Sequence, residues 1–170
     1  MNKIAVTGHR PPRLGGYNYK VATATLDTAF KVLEHFEPKK VITGMALGFD
    51  IAVAKACLIE KIPFIAVLPF RGQERKWSER DIETYHKCLE GAETVIYHSV
   101  KSNKSAYIER DKYMVDMCDY VVGLYDGVPI GGTHETMMYA CQRRMSVYNV
   151  WHWYRDFADA AKIVIGEQNE

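Results

Sequence analysis

The segment VITGMALGFDIAVAKACL, Val41–Leu58, decides how this chain folds. It opens with the short apolar run Val41-Ile42, which reads as a buried strand. The run breaks at Thr43-Gly44 and again at Gly48. From Phe49 the spacing turns helical, with Ile51, Ala52, Ala54 and Leu58 on neighbouring faces. A strand, a small-residue turn and a helix in that order aim free backbone N–H groups and the positive end of a helix at one point, where phosphate or another anion can sit. Asp50, in the first helical turn, suits the helix dipole and could also accept from a ribose or close the turn. An ordinary βα turn shaped by its glycines fits the same residues, so this stretch leaves both readings open.

Outward from this unit, the chain repeats it. Strand-like runs cover Lys3–Gly8, Lys40–Gly44, Pro63–Phe70, Glu93–His98, Tyr120–Tyr125 and Ser146–Trp151. Helical spacing covers Tyr19–Phe36, the stretch from Phe49, Trp77–Gly91, Ser105–Cys118, Thr133–Arg143 and Asp156–Ile165. The apolar run PFIAVLPF argues burial on both faces. Strict alternation with buried strands predicts an α/β fold: one Rossmann-like, doubly wound, mostly parallel sheet with helices on both faces, spanning 1–170 as a single domain.

With 170 residues, 48% of them hydrophobic, the chain can bury one sizeable core. Its formal net charge of +1 gives no global field for DNA, RNA or a membrane, which counts against a nucleic-acid partner. The longest apolar runs are strand-sized and the N-terminus enters a strand directly, so a cytoplasmic protein is expected. Cys57, Cys88, Cys118 and Cys141 are widely separated without a C-x-x-C, which predicts buried free thiols. The six histidines show no H-E-x-x-H or paired spacing, so neither a metal site nor a cofactor is expected. Tyr148, Trp151, Trp153 and Tyr154 form an aromatic cluster that a homo-oligomer contact or a ligand rim would explain.

Parallel sheets bind ligands beyond the carboxyl ends of their strands. The unusual loops of this sequence follow strands: His9–Tyr17, Met45–Gly48, Arg71–Lys76 and Asp126–Thr133. That asymmetry favours a nucleotide-sized ligand. In the first loop, TGHRPPR, Thr7 and Gly8 make a polar turn, Arg10 could grip phosphate bidentately and His9 could bond ribose or phosphate. Arg13 brings a second guanidinium to the same loop, although a surface loop stiffened by Pro11 and Pro12 with Arg13 solvated fits as well. The second loop contributes Gly44, Met45, Ala46, Gly48 and Asp50, and the third offers Gln73 and Trp77 to a base, although Trp77 suits core cover equally. The fourth carries Asp126, then Gly131-Gly132 for close backbone approach, and Thr133 at a helix start.

T-G-H-R-P, T-G-M-A-L-G-F-D and Y-D-G…G-G-T, in that order, resemble the YpsA-like branch of the SLOG superfamily, to which the LOG phosphoribohydrolases and the Rossmann-like domain of DprA also belong. The resemblance spans Lys3 to Val150. It implies a Rossmann-like fold binding a nucleotide or a derivative such as ADP-ribose. It also places Arg110, in I-E-R-D-K-Y-M, where the LOG catalytic arginine falls. LOG hydrolases read P-G-G-x-G-T-x-x-E, whereas here Thr136 occupies the glutamate position and Glu135 comes one residue early. One residue rotates a helical side chain by about 100°. Binding of a nucleotide is therefore the leading expectation. N-glycosidic cleavage using Arg110 and Glu135 comes second, and a DprA-like DNA module third.

Overall fold

The computed structural model describes residues 2–166. Six strands form one sheet: β1 (Lys3–Gly8), β2 (Lys40–Thr43), β3 (Phe64–Leu68), β4 (Thr94–Tyr97), β5 (Tyr120–Leu124) and β6 (Val147–Asn149). Around them pack α1 (Pro11–Leu14), α2 (Tyr19–Phe36), α3 (Phe49–Glu60), α4 (Glu79–Gly91), α5 (Lys104–Met117), α6 (Gly132–Gln142) and α7 (Trp151–Ala160). The strand order is β4-β3-β2-β1-β5-β6 and every pairing is parallel. The chain first winds outward from β1 to β4, then crosses back to place β5 on the other side of β1. Beyond the carboxyl ends of β1 and β5, flanking connections therefore diverge and leave a crevice.

Strand periodicity divides the core between the two faces. Ile4 and Val6 join Val41, Phe49, Phe64 and Tyr154 in one buried cluster, whereas Ala5 joins Ile42, Val67, Met114 and Met137 in the other. The first cluster packs under α2, α3, α4 and α7; the second packs under α5 and α6. Trp77 lies against the first cluster with its ring edge-on to Tyr85, so core cover accounts for it.

Helix starts differ in a way that bears on function. Asn18, Ser78 and Asn103 cap α2, α4 and α5 by accepting from the N–H groups of Val21, Asp81 and Ala106. Helices α3 and α6 begin instead at Gly48 and Gly131, with no side-chain cap.

The C-terminal third departs from the sequence reading. The final helix begins at Trp151 rather than Asp156 and ends at Ala160, and β6 stops at Asn149. As an edge strand, β6 needs few residues, and Asn149 Oδ1 ends it by accepting from the N–H groups of both Tyr125 and Trp151. Pro11–Leu14 forms one helical turn within the expected loop, opened by its two prolines. All four cysteines are free, Cys57 and Cys88 buried and Cys141 exposed. No helix of the described residues is long and apolar enough to cross a membrane.

Candidate functional site

The two glycine-led helix starts face the crevice, and their surroundings differ. At α3 the turn is closed on itself. Phe49 N–H donates to His9 O, Ile51 N–H to Ala46 O, and Ala46 N–H to Asp50 Oδ2 at 3.4 Å. Gly48 has φ +97° and a Cβ there would stand 2.4 Å from His9 O, so its glycine serves the contact between this turn and the β1 loop. Gly8 likewise admits the Phe49 ring. Asp50 thus closes the turn with one oxygen, while Oδ1 is buried without a partner among the described residues. Burial pushes its carboxyl up to about 7, against the opposing pull of Arg110.

At α6 the backbone is open. Among the described residues nothing accepts from the N–H groups of Gly132, Thr133 or His134. Gly131 has φ +93°, which aims the turn, whereas a Cβ on Gly132 would meet only Asp111 Oδ2 at 3.9 Å. Arg13 builds the loop leading in. Its guanidinium grips Asp126 through Nε (3.0 Å) and Nη2 (2.5 Å), and donates to Ile130 O and Val128 O. Burial works to raise the Asp126 carboxyl, but Arg13 and the Val128 N–H outweigh it and the net shift is downward. His9 Nε2 accepts from Asp126 N–H at 3.0 Å, so that nitrogen carries no proton. Its 3.1 Å approach to Asp126 Oδ1 is therefore not an ion pair. Burial lowers the His9 imidazole to about 4, consistent with a neutral ring.

Arg10 is exposed at the mouth and has no acidic partner among the described residues; its guanidinium lies 5.8 Å from the Tyr107 ring centre. Arg110 is different. Only 3% exposed, it donates to Gly44 O (2.5 Å), Val67 O (3.0 Å) and Asp111 Oδ1 (2.6 Å). It thereby ties the ends of β2 and β3 to α5, and Gly44 is bare because a Cβ would strike this guanidinium. Gln73 Nε2 faces Gly44 O and Met45 O, which fixes the amide orientation and leaves Oε1 buried with no partner among the described residues. Met45 is buried at φ +59° and Thr7 is buried in β1. Glu135 is exposed in the first α6 turn, beside Asp111 and His134 along the space between α5 and α6.

The structure therefore gathers His9, Arg10, Asp126 and Gly131–Thr133 around one open donor cluster, and places Gly44–Gly48 in a sealed turn beside it. The sequence reading assigned no part to Asp111 and left Arg13 open between the crevice and solvent. Adjacent helical residues do not face each other, so Arg110-Asp111 gave no pairing signal. Arg13 differs from a solvated arginine only through a partner 113 residues away. A groove of about 360 Å³ lies between α2, α3 and the start of α4, with an apolar floor that includes Leu26 and Ile51, and shares Gly48 with the crevice wall. Among the described residues no group of three or more acidic, histidine or cysteine side chains could hold a metal.

A parallel sheet with its crevice at the switch point and a helix start open toward it defines a Rossmann-like α/β fold. Residues 4–152 match the model of the YspA SLOG family (YpsA), and the chain belongs to that family. A UPF0398 protein of Bacillus licheniformis is 25% identical over 167 residues, covering 88% of this chain and 91% of the relative. The fold is shared with DNA processing protein A of Helicobacter pylori, a protein that binds single-stranded DNA. That likeness has a TM-score of 0.60 at 14% identity, covers 86% of this chain and extends over only 64% of the other. It is shared also with a molybdenum cofactor binding protein of Rippkaea orientalis (TM-score 0.56, 14% identity, 95% and 85% covered).

Proposed function

We propose that the crevice binds the phosphate of a nucleotide, or of a nucleotide derivative of the ADP-ribose type, and that the protein senses or sequesters this ligand rather than cleaving it. The observation that carries the reading is the uncapped α6 start. Three convergent N–H groups at a positive helix end, with an unpaired arginine at the mouth, are the donor set a phosphate needs. Binding is favoured over N-glycosidic cleavage because Arg110 has Nε and Nη1 engaged by protein acceptors and Glu135 stands one residue off the hydrolase position. A small ligand is favoured over DNA because the net charge is only +1. DNA binding through a true phosphate track would weaken steeply with salt. Four unpaired thiols suit a reducing cytoplasm. Exposed Tyr148 on the edge strand, among the rings of Phe36 and Tyr120, suits contact with a second copy, which light scattering would detect.

The test is the mass of any small molecule released from the purified protein, followed by titration of the stripped protein with AMP and ADP-ribose. Gly132→Val should abolish binding and leave cooperative unfolding intact, because the added Cβ meets nothing closer than 3.9 Å in the free protein. Unchanged affinity in a folded Gly132→Val variant removes this site. Free base released by the wild type and lost in Glu135→Gln would establish the hydrolase instead.

A further inference from the structure

The hydrolase motif places a glutamate three residues after its threonine. Here that position is Thr136, buried on the inner side of α6. Its hydroxyl lies 2.7 Å from Gly132 O and 3.1 Å from Asp111 Oδ2, so one proton is shared between a backbone and a carboxylate acceptor. The missing carboxylate is thus supplied from the facing helix, to the position where a glutamate side chain at residue 136 would begin. Asp111 Oδ1 accepts from Arg110 Nε, which leaves about half of the four lone-pair directions of the carboxylate unused. Its side chain is 19% exposed and lines a groove of about 350 Å³ between α5 and α6, shared with His134 and Glu135. The same carboxylate stands 3.9 Å from where a Cβ on Gly132 would be, directly beside the open N–H cluster.

Arg110 neutralises Asp111, so the pair does not repel a phosphate lodged next to it. In a nucleoside 5′-phosphate the sugar follows the phosphate after only the ester oxygen and C5′. A phosphate on the Gly132–His134 amides therefore brings pentose hydroxyls to the mouth of the α5/α6 groove. We infer that Asp111, held by Thr136 and Arg110, is the carboxylate that accepts from the ribose hydroxyls of the ligand, and that Glu135 is not. This makes the site selective for ribo- over 2-deoxyribo-phosphates, and it rests on the phosphate reading above.

Ribose 5-phosphate, 2-deoxyribose 5-phosphate and inorganic phosphate, titrated into the wild type, Asp111→Asn, Thr136→Val and Glu135→Gln, separate the two claims. The expected result is about tenfold weaker wild-type binding of the deoxy sugar, the order of one hydrogen bond to a charged group. That gap should vanish in Asp111→Asn, narrow in Thr136→Val and persist in Glu135→Gln. A wild type that binds all three probes without a gap, or a gap that survives Asp111→Asn and is lost in Glu135→Gln, overturns the assignment of Asp111 while the phosphate site stands. If Asp111→Asn does not fold, Thr136→Val decides: a full gap there also overturns the assignment. A wild type that binds none of the three overturns the phosphate reading and this inference with it.

Discussion

Helices α3 and α6 follow the same recipe: a buried strand, small residues and an uncapped glycine start at the crevice. Yet one is sealed and the other open. At α3 the amides of Phe49 and Ile51 are taken by His9 O and Ala46 O, and Asp50 adds a carboxyl group that a phosphate would have to displace or avoid. At α6 the carboxylate of the first turn, Glu135, accepts from none of the first-turn amides among the described residues, and the loop before it is held by Arg13 from across the crevice. A glycine turn before a helix thus makes an anion site only if neighbouring backbone leaves its amides unused.

The sharpest contrast lies in paired glycine substitutions. Gly48→Val adds a Cβ 2.4 Å from His9 O at a positive φ, which combines backbone strain with overpacking and should cost roughly 2–5 kcal/mol of stability. Gly132→Val should leave the melting temperature nearly unchanged and remove binding. Thermal melts with and without AMP check both, and a stable Gly48→Val protein would show that the α3 turn is not sealed as described.

The two arginines carry the comparison to side chains. Arg110→Ala strands Asp111 and leaves Gly44 O and Val67 O without their donor, so chemical unfolding should register a loss of about 3–5 kcal/mol. Arg10→Ala should leave stability alone and weaken AMP binding by about 1.5–3 kcal/mol, the range for hydrogen bonds to charged groups. If Arg110→Ala keeps full stability while losing ligand, Arg110 belongs to the site after all.

Strand alternation and the crevice were legible because burial on both faces writes itself into local apolar runs such as Phe64–Leu68. The glycine positions were legible for the same local reason. What local sequence could not carry was occupancy. Whether the Phe49 amide is free depends on His9 O, forty residues earlier, and the place of Arg13 depends on Asp126. The late start expected for the last helix has a related cause, since Trp151 reads as the end of the strand and Trp153 and Tyr154 as an aromatic cluster after it until Asn149 stops β6.

Acid titration makes the smallest contrast. His9 sits near 4 in the folded state against 6.5 when unfolded, so between those values only the unfolded chain binds its proton and stability falls on acidification. Asp50 sits near 7 against 3.8, so between those values only the folded chain binds its proton and stability rises on acidification. The two offset each other from about pH 6.5 to 4. Asp111, also raised by burial, pulls in the same direction as Asp50. Removing the Asp50 contribution with Asp50→Asn should steepen the loss on acidification by about 1.4 kcal/mol per pH unit relative to the wild type across that window, whatever Asp111 still offsets. Parallel pH profiles for the two proteins would mean that the Asp50 carboxyl is not held protonated by the fold.

The most direct measurement is a titration of the free protein with inorganic phosphate, followed residue by residue through backbone amide NMR signals. The account predicts saturable shifts at Gly132, Thr133 and His134, with Phe49, Asp50 and Ile51 unmoved. Saturable shifts at Phe49–Ile51 with a silent α6 start would contradict it.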